Sequence, residues 1–530
     1  MKQQKPPQAL GRGSDWRAAA VAAAVIAAAS LTGGRYGAAV EPPREAWLEA
    51  EQARVERALE IISERSAGFD AEAAIFRSAI PRMLGTLDPH SVFFEPARFD
   101  RLREENQVRY GGVGVQVSLF RGEAVIDYPF PGTPAYEAGI RPGDTLEEVD
   151  GAPIKGSSES EIEGRIRGRL GTTVRLRLRR GDDDREVDLV RVPIPRRSVP
   201  LAAFLRPGVG YIRIATFGEQ TADEVDQALE ALESEGLEGL VLDLRGNPGG
   251  LVSAAVRVAG RLLPPGSTVF WRRGRGDRIK RYRAPYAAHR PYPLTVLTDC
   301  SSASAAEIVA GAVQDHDRGL IVGETTFGKG LVQRVFELSA GTGVILTTAR
   351  YYTPSGRLIQ RSYDGLERAD YFAGPCSGRY KPRPTDEKRT AHGRTFYGGG
   401  GITPDIAAPH DQPGRHERRL LRVRAFDLYA QALADRLEEL PSDWDATPET
   451  LADFERFVSE QGWLGKGPLA ARPDFLRRKI RRSVYTMFWN VDEGLRADAE
   501  LDPQVIAAIA ALPRAAQLLA ADPSELRGAF

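Results

Sequence analysis

A chain of 530 residues with 42% hydrophobic content is longer than one hydrophobic core usually organises, so we expect several domains. Lysine plus arginine number 72, as do aspartate plus glutamate, so no overall field draws the chain to nucleic acid or to an acidic membrane surface. The two cysteines, Cys300 and Cys376, and the six scattered histidines show no metal-ligand spacing. Composition therefore argues against a metallohydrolase and a disulfide framework, leaves a single disulfide open, and calls for no metal or cofactor.

The first 40 residues have the layout of an export signal. Basic residues, among them Lys2 and Arg17, precede an apolar run from Ala18 to Leu31. This run of about 14 residues is shorter than the roughly 20 that span a bilayer. We favour a cleaved signal peptide over a retained membrane anchor, with an alanine-rich soluble helix as the other alternative. The mature chain is then expected in a bacterial periplasm, or anchored and facing it.

The pattern along the chain changes three times after the signal. Residues 41–107 show helical periodicity, and residues 108–193 show short alternating runs with glycine between them, which predict strands. Strand and helix patterns alternate over residues 194–410, which predicts an α/β core with parallel strands. Residues 411–530 are helical and charged and carry no catalytic constellation. We expect that last region to serve docking or assembly.

The stretch "LTDCSSASAAEIVAGAV", residues 297–313, predicts a buried strand that leads directly into a helix. Its serines lie in the turn, beside the free N–H groups and the positive end of the helix. Ser304 with Glu307 fits an S-x-x-E capping box, and Ser301 and Ser302 fit ordinary turn serines. The pattern alone does not separate capping from catalysis.

A candidate base for a serine hydroxyl lies 25 positions further on. No histidine triad pattern, GxSxG or S-x-x-K motif occurs. Nine of the 72 basic residues are lysines, and one of them, Lys329, stands between glycines in "GETTFGKGLVQ". Lysine can act as a base when burial lowers its pKa from about 10.4 towards 7 to 8, whereas arginine keeps its proton. The alternative is a solvent-exposed lysine at a hairpin tip.

Several motifs together resemble one enzyme family. "SASAAEIVAGAVQD" and "VGETTFGKGLVQ" follow "LVLDLRGNPGG" and precede "YYTPSGRLIQ" and "GGGITPDI", while "LDPHSVFF" lies near the start. In this order, from about Leu84 to Ile406, they closely resemble the carboxy-terminal processing peptidases, or tail-specific proteases. The resemblance implies a serine endopeptidase with a serine–lysine dyad, on a core like that of the Clp protease and the crotonases. One departure is Ala306, where the family often has a further serine.

The resemblance assigns roles to particular residues. Ser304 becomes the nucleophile and Lys329 the general base, and Gln333 matches the glutamine that holds the lysine. Four residues along a straight strand cover about 13 Å, so contact between Lys329 and Gln333 requires a bend. Gly328 and Gly330 would permit one.

The oxyanion of a tetrahedral intermediate needs preorganised N–H donors. One expected donor is the backbone of Ala305, directly after the nucleophile. The resemblance gives the other as Gly250 in "GNPGG", with Gly249 as the near alternative. Without the family, "NPGG" reads simply as a turn between a strand and a helix.

Residues from about Val108 to Val192 resemble a PDZ domain. The N–H groups of Gly111, Gly112, Val113 and Gly114 can form a nest for a C-terminal carboxylate, and the next strand edge can pair with an extended peptide. The plain alternative is a glycine-rich turn in a small β-fold. The expected partners are polypeptides with exposed C-terminal tails.

Three functions are therefore compared. The first is an exported serine endopeptidase that cleaves near C-termini, and the second is a PDZ adaptor that binds tails without cutting them. The third, a crotonase-like acyl-group enzyme, shares only the core fold. Whether the chain forms a homo-oligomer is left open.

Overall fold

The computed structural model describes residues 44–68, 70, 75–96, 98–99, 109–120, 122–195, 197–285, 290–377, 385–390, 392–441, 444–463 and 472–520. The predicted export signal lies outside the described residues.

The N-terminal region is helical at first and then adds a strand to the core. It contains α1 (Arg44–Arg65), a short π-helix (Ile75–Ala79) and α2 (Ile80–Gly85). The segment that follows was predicted only as part of a helical region, but it forms strand β1 (Val92–Phe94), paired with a strand more than 240 residues later. Three residues are too few to show a strand period, so only the distant partner reveals this element.

A separate β-rich module follows, with its own core. Its elements are β2 (Arg109–Gly112), β3 (Val115–Phe120), β4 (Glu123–Pro129), α3 (Pro134–Glu137), β5 (Thr145–Val149), β6 (Ala152–Pro153), α4 (Glu159–Ile166), β7 (Thr173–Arg180), β8 (Asp183–Val190) and β9 (Val192–Pro195). The main sheet is antiparallel in the order β3-β4-β5-β7-β8, and β2 pairs with β9. Alternating residues of β7, Val174, Leu176 and Leu178, are fully buried in this module's core.

The central sheet has six strands in the order β10-β11-β12-β15-β16-β21. These are β10 (Leu201–Arg206), β11 (Val209–Arg213), β12 (Gly239–Asp243), β15 (Leu294–Thr298), β16 (Leu320–Gly323) and β21 (Ile406–Ala407), and all pairs from β11 onwards are parallel. Helices α5 (Thr221–Ser234), α6 (Val252–Leu262) and α7 (Ala305–Asp315) cover one face. The strands are apolar on both faces, as buried parallel strands must be. The predicted α/β core is confirmed.

A second, antiparallel sheet packs beside the first. It comprises β13 (Thr268–Gly274), β14 (Ile279–Arg283), β17 (Leu331–Glu337) and β18 (Gly343–Tyr352) together with β1, in the order β1-β18-β13-β14, with β17 also on β18. Three short 3-10 turns (Arg275–Asp277, Ser339–Gly341, Pro375–Ser377), helix α8 (Arg368–Ala373) and the hairpin β19 (Thr385–Arg389) and β20 (Thr395–Gly398) complete the region.

The C-terminal region is helical, as predicted. Its helices are α9 (Arg415–Arg422), α10 (Ala425–Ala434), α11 (Pro448–Glu460), α12 (Pro473–Phe488), α13 (Val491–Glu500) and α14 (Pro503–Ala520). Helix α14 is the one described helix long and apolar enough to cross a membrane by length and composition. Val505, Ala508 and Leu512 of this helix pack on the second face of the central sheet. The sheet is therefore covered on both faces.

Candidate active site

Ser304 lies where the sequence places it, between β15 and α7. It is partly exposed, and its backbone is held at φ 56° and ψ −110°, a region that non-glycine residues seldom occupy. Strain of this kind costs roughly 1–3 kcal/mol and persists only when surrounding contacts enforce it. Ser302 has a structural role, because its hydroxyl donates to the Leu244 carbonyl at 2.8 Å, whereas Ser301 is exposed.

Glu307 supplies the contacts that enforce this backbone. Its carboxylate is fully buried, and Oε2 accepts the Ser304 N–H at 2.8 Å and the Lys329 N–H at 2.9 Å. Its other oxygen accepts the Thr326 hydroxyl at 2.6 Å and the Gly328 N–H at 2.7 Å. One oxygen thus joins the backbones of the predicted nucleophile and the predicted base. Capping of the helix is only part of what Glu307 does.

Lys329 is half-buried, in a setting that favours the neutral amine. Burial lowers its pKa, while the carboxylates of Glu307 and Asp88 oppose that shift. The loop is held by side chains, since the Gly330 N–H donates to Gln360 Oε1 at 2.8 Å. The alternative of a solvent-exposed lysine at a hairpin tip does not fit this environment.

Gln333 lies on β17, at an irregularity in its pairing with β18. Strand pairing begins at Leu331 and its register shifts between Val332 and Gln333, whereas Gly328, with φ 85°, comes before Lys329. Contact between Lys329 and Gln333 stays a prediction. The Gln333 side-chain nitrogen donates to the backbone carbonyl of His90 at 2.8 Å. That contact fixes which end of the amide is nitrogen, and it connects the glutamine to the "LDPHS" segment of the N-terminal region.

His90 borders the lysine from the other side. Burial, aided by the nearby Lys329 charge, lowers the pKa of His90 to about 4. Because Gln360 donates to the Tyr371 hydroxyl at 3.1 Å, that hydroxyl is free to donate to His90 Nε2, 3.0 Å away. His90 is therefore neutral at ordinary pH and forms one side of the site.

The glycine turn after β12 lies directly against the nucleophile. A Cβ on Gly249 would come within 2.7 Å of Ser304 Cβ and 3.0 Å of the Ala305 nitrogen, so this close approach needs glycine. The Gly249 N–H is already engaged, donating to Asn247 Oδ1 at 2.8 Å. The N–H groups of Gly250 and Ala305 donate to no acceptor among the described residues. Those two groups are the ones available to an oxyanion.

A disulfide joins the turn that carries Ser304 to the segment that follows helix α8. Cys300 and Cys376 are bonded, with their Cα atoms 5.2 Å apart. Just before Cys376, Tyr371 and Phe372 pack edge-on against His90 with ring centroids 5.3 and 5.2 Å away. The single disulfide that composition left open is therefore present, and it ties these aromatic side chains to the turn that carries Ser304.

A crevice of about 470 Å³ opens beside the nucleophile turn. It lies at the carboxyl ends of the parallel strands, where open α/β sheets usually bind ligands. Positively and negatively charged side chains line this crevice, including Arg213, Asp299, Glu324 and Arg478. Its walls are the central sheet and the C-terminal helices.

The predicted carboxylate loop borders a narrow groove between β3 and α4. Gly112, Val113 and Gly114 line this cavity of about 30 Å³, whereas Gly111 lies in the strand paired with Pro193 and does not. Gly114 has φ 83°, and a Cβ there would lie 2.2 Å from Thr133 Oγ1, so glycine is required at this position. Three of the four predicted nest residues therefore line the groove beside β3.

Comparison with known proteins settles the family. A peptidase family S41 model matches residues 208–368, and a PDZ domain model matches residues 125–180. The solved photosystem II D1 C-terminal processing protease is 29% identical, with a TM-score of 0.40, covering 75% of this chain and 94% of its own. The carboxyl-terminal-processing protease of Synechocystis sp. (strain ATCC 27184 / PCC 6803 / Kazusa) is 40% identical over 54% of this chain and 68% of its own length. The carboxy-terminal processing protease CtpB of Bacillus subtilis (strain 168) is 32% identical over 66% and 79%.

The chain belongs to the carboxy-terminal processing proteases of peptidase family S41. It is a serine-type peptidase that cleaves C-terminal tails, and it carries a PDZ domain. The family predicted from the sequence motifs is confirmed.

Several residues of this processing protease's site escaped prediction. Glu307 was considered only as a cap, and His90 only as part of a family motif. Asn247 was not singled out, although its side chain bonds the Ile214 carbonyl and the Gly249 N–H, both at 2.8 Å. A buried asparagine in a tight glycine turn was the available signal, since Asn side chains commonly bond nearby backbone.

Proposed function

We propose that this chain is an exported serine endopeptidase in which Ser304 is the nucleophile and Lys329 the general base. The observation that carries the proposal is the shared Glu307 oxygen, because it holds the backbones of both residues within two hydrogen-bond lengths of each other. The PDZ domain, assigned to residues 108–193, would hold the substrate tail while the core, residues 194–410, cuts.

The proposed chemistry uses a neutral lysine. Lys329 Nζ takes the Ser304 proton as Oγ attacks the scissile carbonyl, and Gln333 helps to hold the amine. The N–H groups of Gly250 and Ala305 stabilise the oxyanion. The peptide C–N bond then breaks as Lys329 gives its proton to the leaving amine, and Ser304 Oγ is left acylated. Lys329 takes a proton from the water that attacks this ester and returns it to Ser304 Oγ when the acid product leaves.

Cleavage should rise with pH as Lys329 loses its proton. Below its lowered pKa the amine is protonated and cannot act as a base, so kcat/KM falls as pH falls. His90, with a pKa of about 4, is neutral throughout pH 6 to 10 and does not explain a change in that range. The measurement is kcat/KM for a peptide substrate from pH 6 to 10, with chemistry rate-limiting. A flat profile would contradict a lysine base.

A free C-terminal carboxylate should be needed for tail binding. The proposed nest is formed by the backbone of Gly112, Val113 and Gly114, with the edge of β3 beside it. Hydrogen bonds to a charged group contribute about 1.5–3 kcal/mol, so an amidated tail should bind at least about tenfold more weakly. Fluorescence anisotropy with the Ser304→Ala protein and matched acid and amide peptides measures this. Equal affinities would exclude the carboxylate nest.

Export is supported by the basic and apolar N-terminus and by the disulfide, since disulfides persist in oxidising compartments. A periplasmic location, free or anchored, is our proposal. Fractionation of cells producing the full chain, with N-terminal sequencing of the mature protein, would test it and would separate a cleaved signal from an anchor.

The competing adaptor function predicts tail binding without cutting. The buried Glu307, the lowered pKa of Lys329 and the two available N–H groups together support an active site rather than a decayed one. Binding and cleavage measured on the same tail peptides separate the two functions.

A further inference from the structure

Arg245 connects the glycine turn to the C-terminal helices. Its Nη1 donates to Asp502 Oδ1 at 3.0 Å and to Gln504 Oε1 at 2.7 Å. Its Nε and Nη2 donate to Asp243, at the end of β12, over 2.6 to 3.0 Å. The Arg245 side chain is only 15% exposed and that of Asp243 is fully buried, so solvent screens these contacts little.

The acceptors on the helical side are themselves fixed. Asp502 Oδ1 also accepts the N–H groups of Gln504 at 2.9 Å and Val505 at 3.2 Å, and so caps the start of α14. The Gln504 side-chain nitrogen donates to the Ala408 carbonyl at 2.6 Å. Arg245 therefore bonds two groups whose positions are set by α14 and the core.

The other side of the same turn meets the nucleophile. The Gly246 N–H donates to the Asp299 carboxylate at 3.0 and 3.1 Å, and Asp299 accepts the Ser302 N–H at 2.9 Å. The Asn247 carbonyl accepts the Ala303 N–H at 2.9 Å. Residues 245 to 250 thus connect α14 to the turn that carries Ser304.

We propose that Asp502 and Gln504 are positioning residues for catalysis: through Arg245 they set where the Gly250 N–H lies relative to Ser304. This inference rests on the proposed roles of Ser304 and Gly250. It gives the C-terminal helical region a part in the reaction that is exerted through Arg245. Without these acceptors Arg245 Nη1, which lies at the crevice, loses its partners at the start of α14, and the glycine turn is no longer tied to that helix.

The test is the double variant Asp502→Asn with Gln504→Met. Asparagine keeps the Oδ1 that caps the helix but removes its charge, and methionine removes the Gln504 acceptor at a similar side-chain length. The fold should therefore survive, while one hydrogen bond from Arg245 weakens and the other is lost. Because a misplacement of about 1 Å can cost roughly a hundredfold in rate, we expect kcat to fall about 10- to 100-fold. KM and the affinity for a tail peptide should change less than about threefold, and the midpoint of the pH profile should not move.

Two further measurements separate positioning from loss of structure. Affinity for a peptide boronate, which mimics the tetrahedral intermediate, should fall in proportion to kcat/KM. Asp502→Asn alone leaves Gln504 Oε1 to accept from Arg245 Nη1 and should retain most of kcat. Glu500→Gln is the matched control, because Glu500 on the neighbouring helix bonds Arg481 at 2.7 Å rather than Arg245. Urea denaturation confirms that each variant is folded.

The possible outcomes either support or overturn the inference. A folded double variant with kcat and boronate affinity within about twofold of wild type overturns the inference while the proposed function stands. A rise in KM with kcat unchanged also overturns it, since the link would then serve substrate binding. If wild type cleaves no better than Ser304→Ala, the proposed function fails and the inference fails with it.

Discussion

Ser304→Ala and Lys329→Arg should each lower kcat/KM by about four orders of magnitude or more in an otherwise folded protein. Alanine removes the nucleophilic oxygen, and arginine keeps the positive charge but cannot give up its proton at working pH. The measurement is cleavage of a peptide with a free C-terminal tail, followed by chromatography to locate the cut. Tail binding, measured in parallel, should be unchanged.

Lys329→Met offers a control for this pair with a distinct stability signature. Because the pKa of Lys329 is lowered in the folded state, the unfolded chain binds the proton more readily between the two pKa values, so wild-type stability rises with pH there. The methionine variant lacks this dependence. It should be more stable than wild type at neutral pH, and its advantage should shrink towards pH 10.5. A variant with no such gain would show that the amine is solvated in the folded protein.

The sequence predicted the parts of the site that are local in the chain. The strand pattern that runs directly into a helix pattern places Ser304 and Ala305 in a turn, and the resemblance to the processing peptidases assigns their roles. Lys329 stood out because the chain otherwise prefers arginine and because glycines flank it. The structure confirms the strand and the helix.

The sequence pattern could not predict contacts between distant segments. Gln333 and His90 are 243 residues apart, and Arg245 and Asp502 are 257 apart. Periodicity reports which face of an element is buried, but not which polar group meets it there. A single sequence contains no pattern that predicts either pairing. The same reason hid the strand β1, whose partner is β18.

Glu307→Gln should damage stability and activity together. Each carboxylate oxygen of Glu307 accepts hydrogen bonds from two donors. Whichever oxygen is replaced by the NH₂ group of glutamine, two buried donors then face another donor instead of an acceptor. Leaving buried donors unsatisfied costs about 1–3 kcal/mol each, so we expect a total loss of about 3–5 kcal/mol in the free energy of unfolding. Urea denaturation at pH 7 measures it.

The loss of activity should exceed the loss of folded protein. The Ser304 backbone is strained, and Glu307 is the group that accepts its N–H and that of Lys329. Under conditions where Glu307→Gln is folded, kcat should still fall about a hundredfold, because nucleophile and base are no longer held in register. Glu224→Gln is the matched control: Glu224 accepts the Val199 N–H at 2.8 Å on α5, away from the dyad. Its kcat should match wild type. If Glu307→Gln kept wild-type kcat while folded, the shared carboxylate would be a helix cap alone, and the case for a dyad built around it would lose its main support.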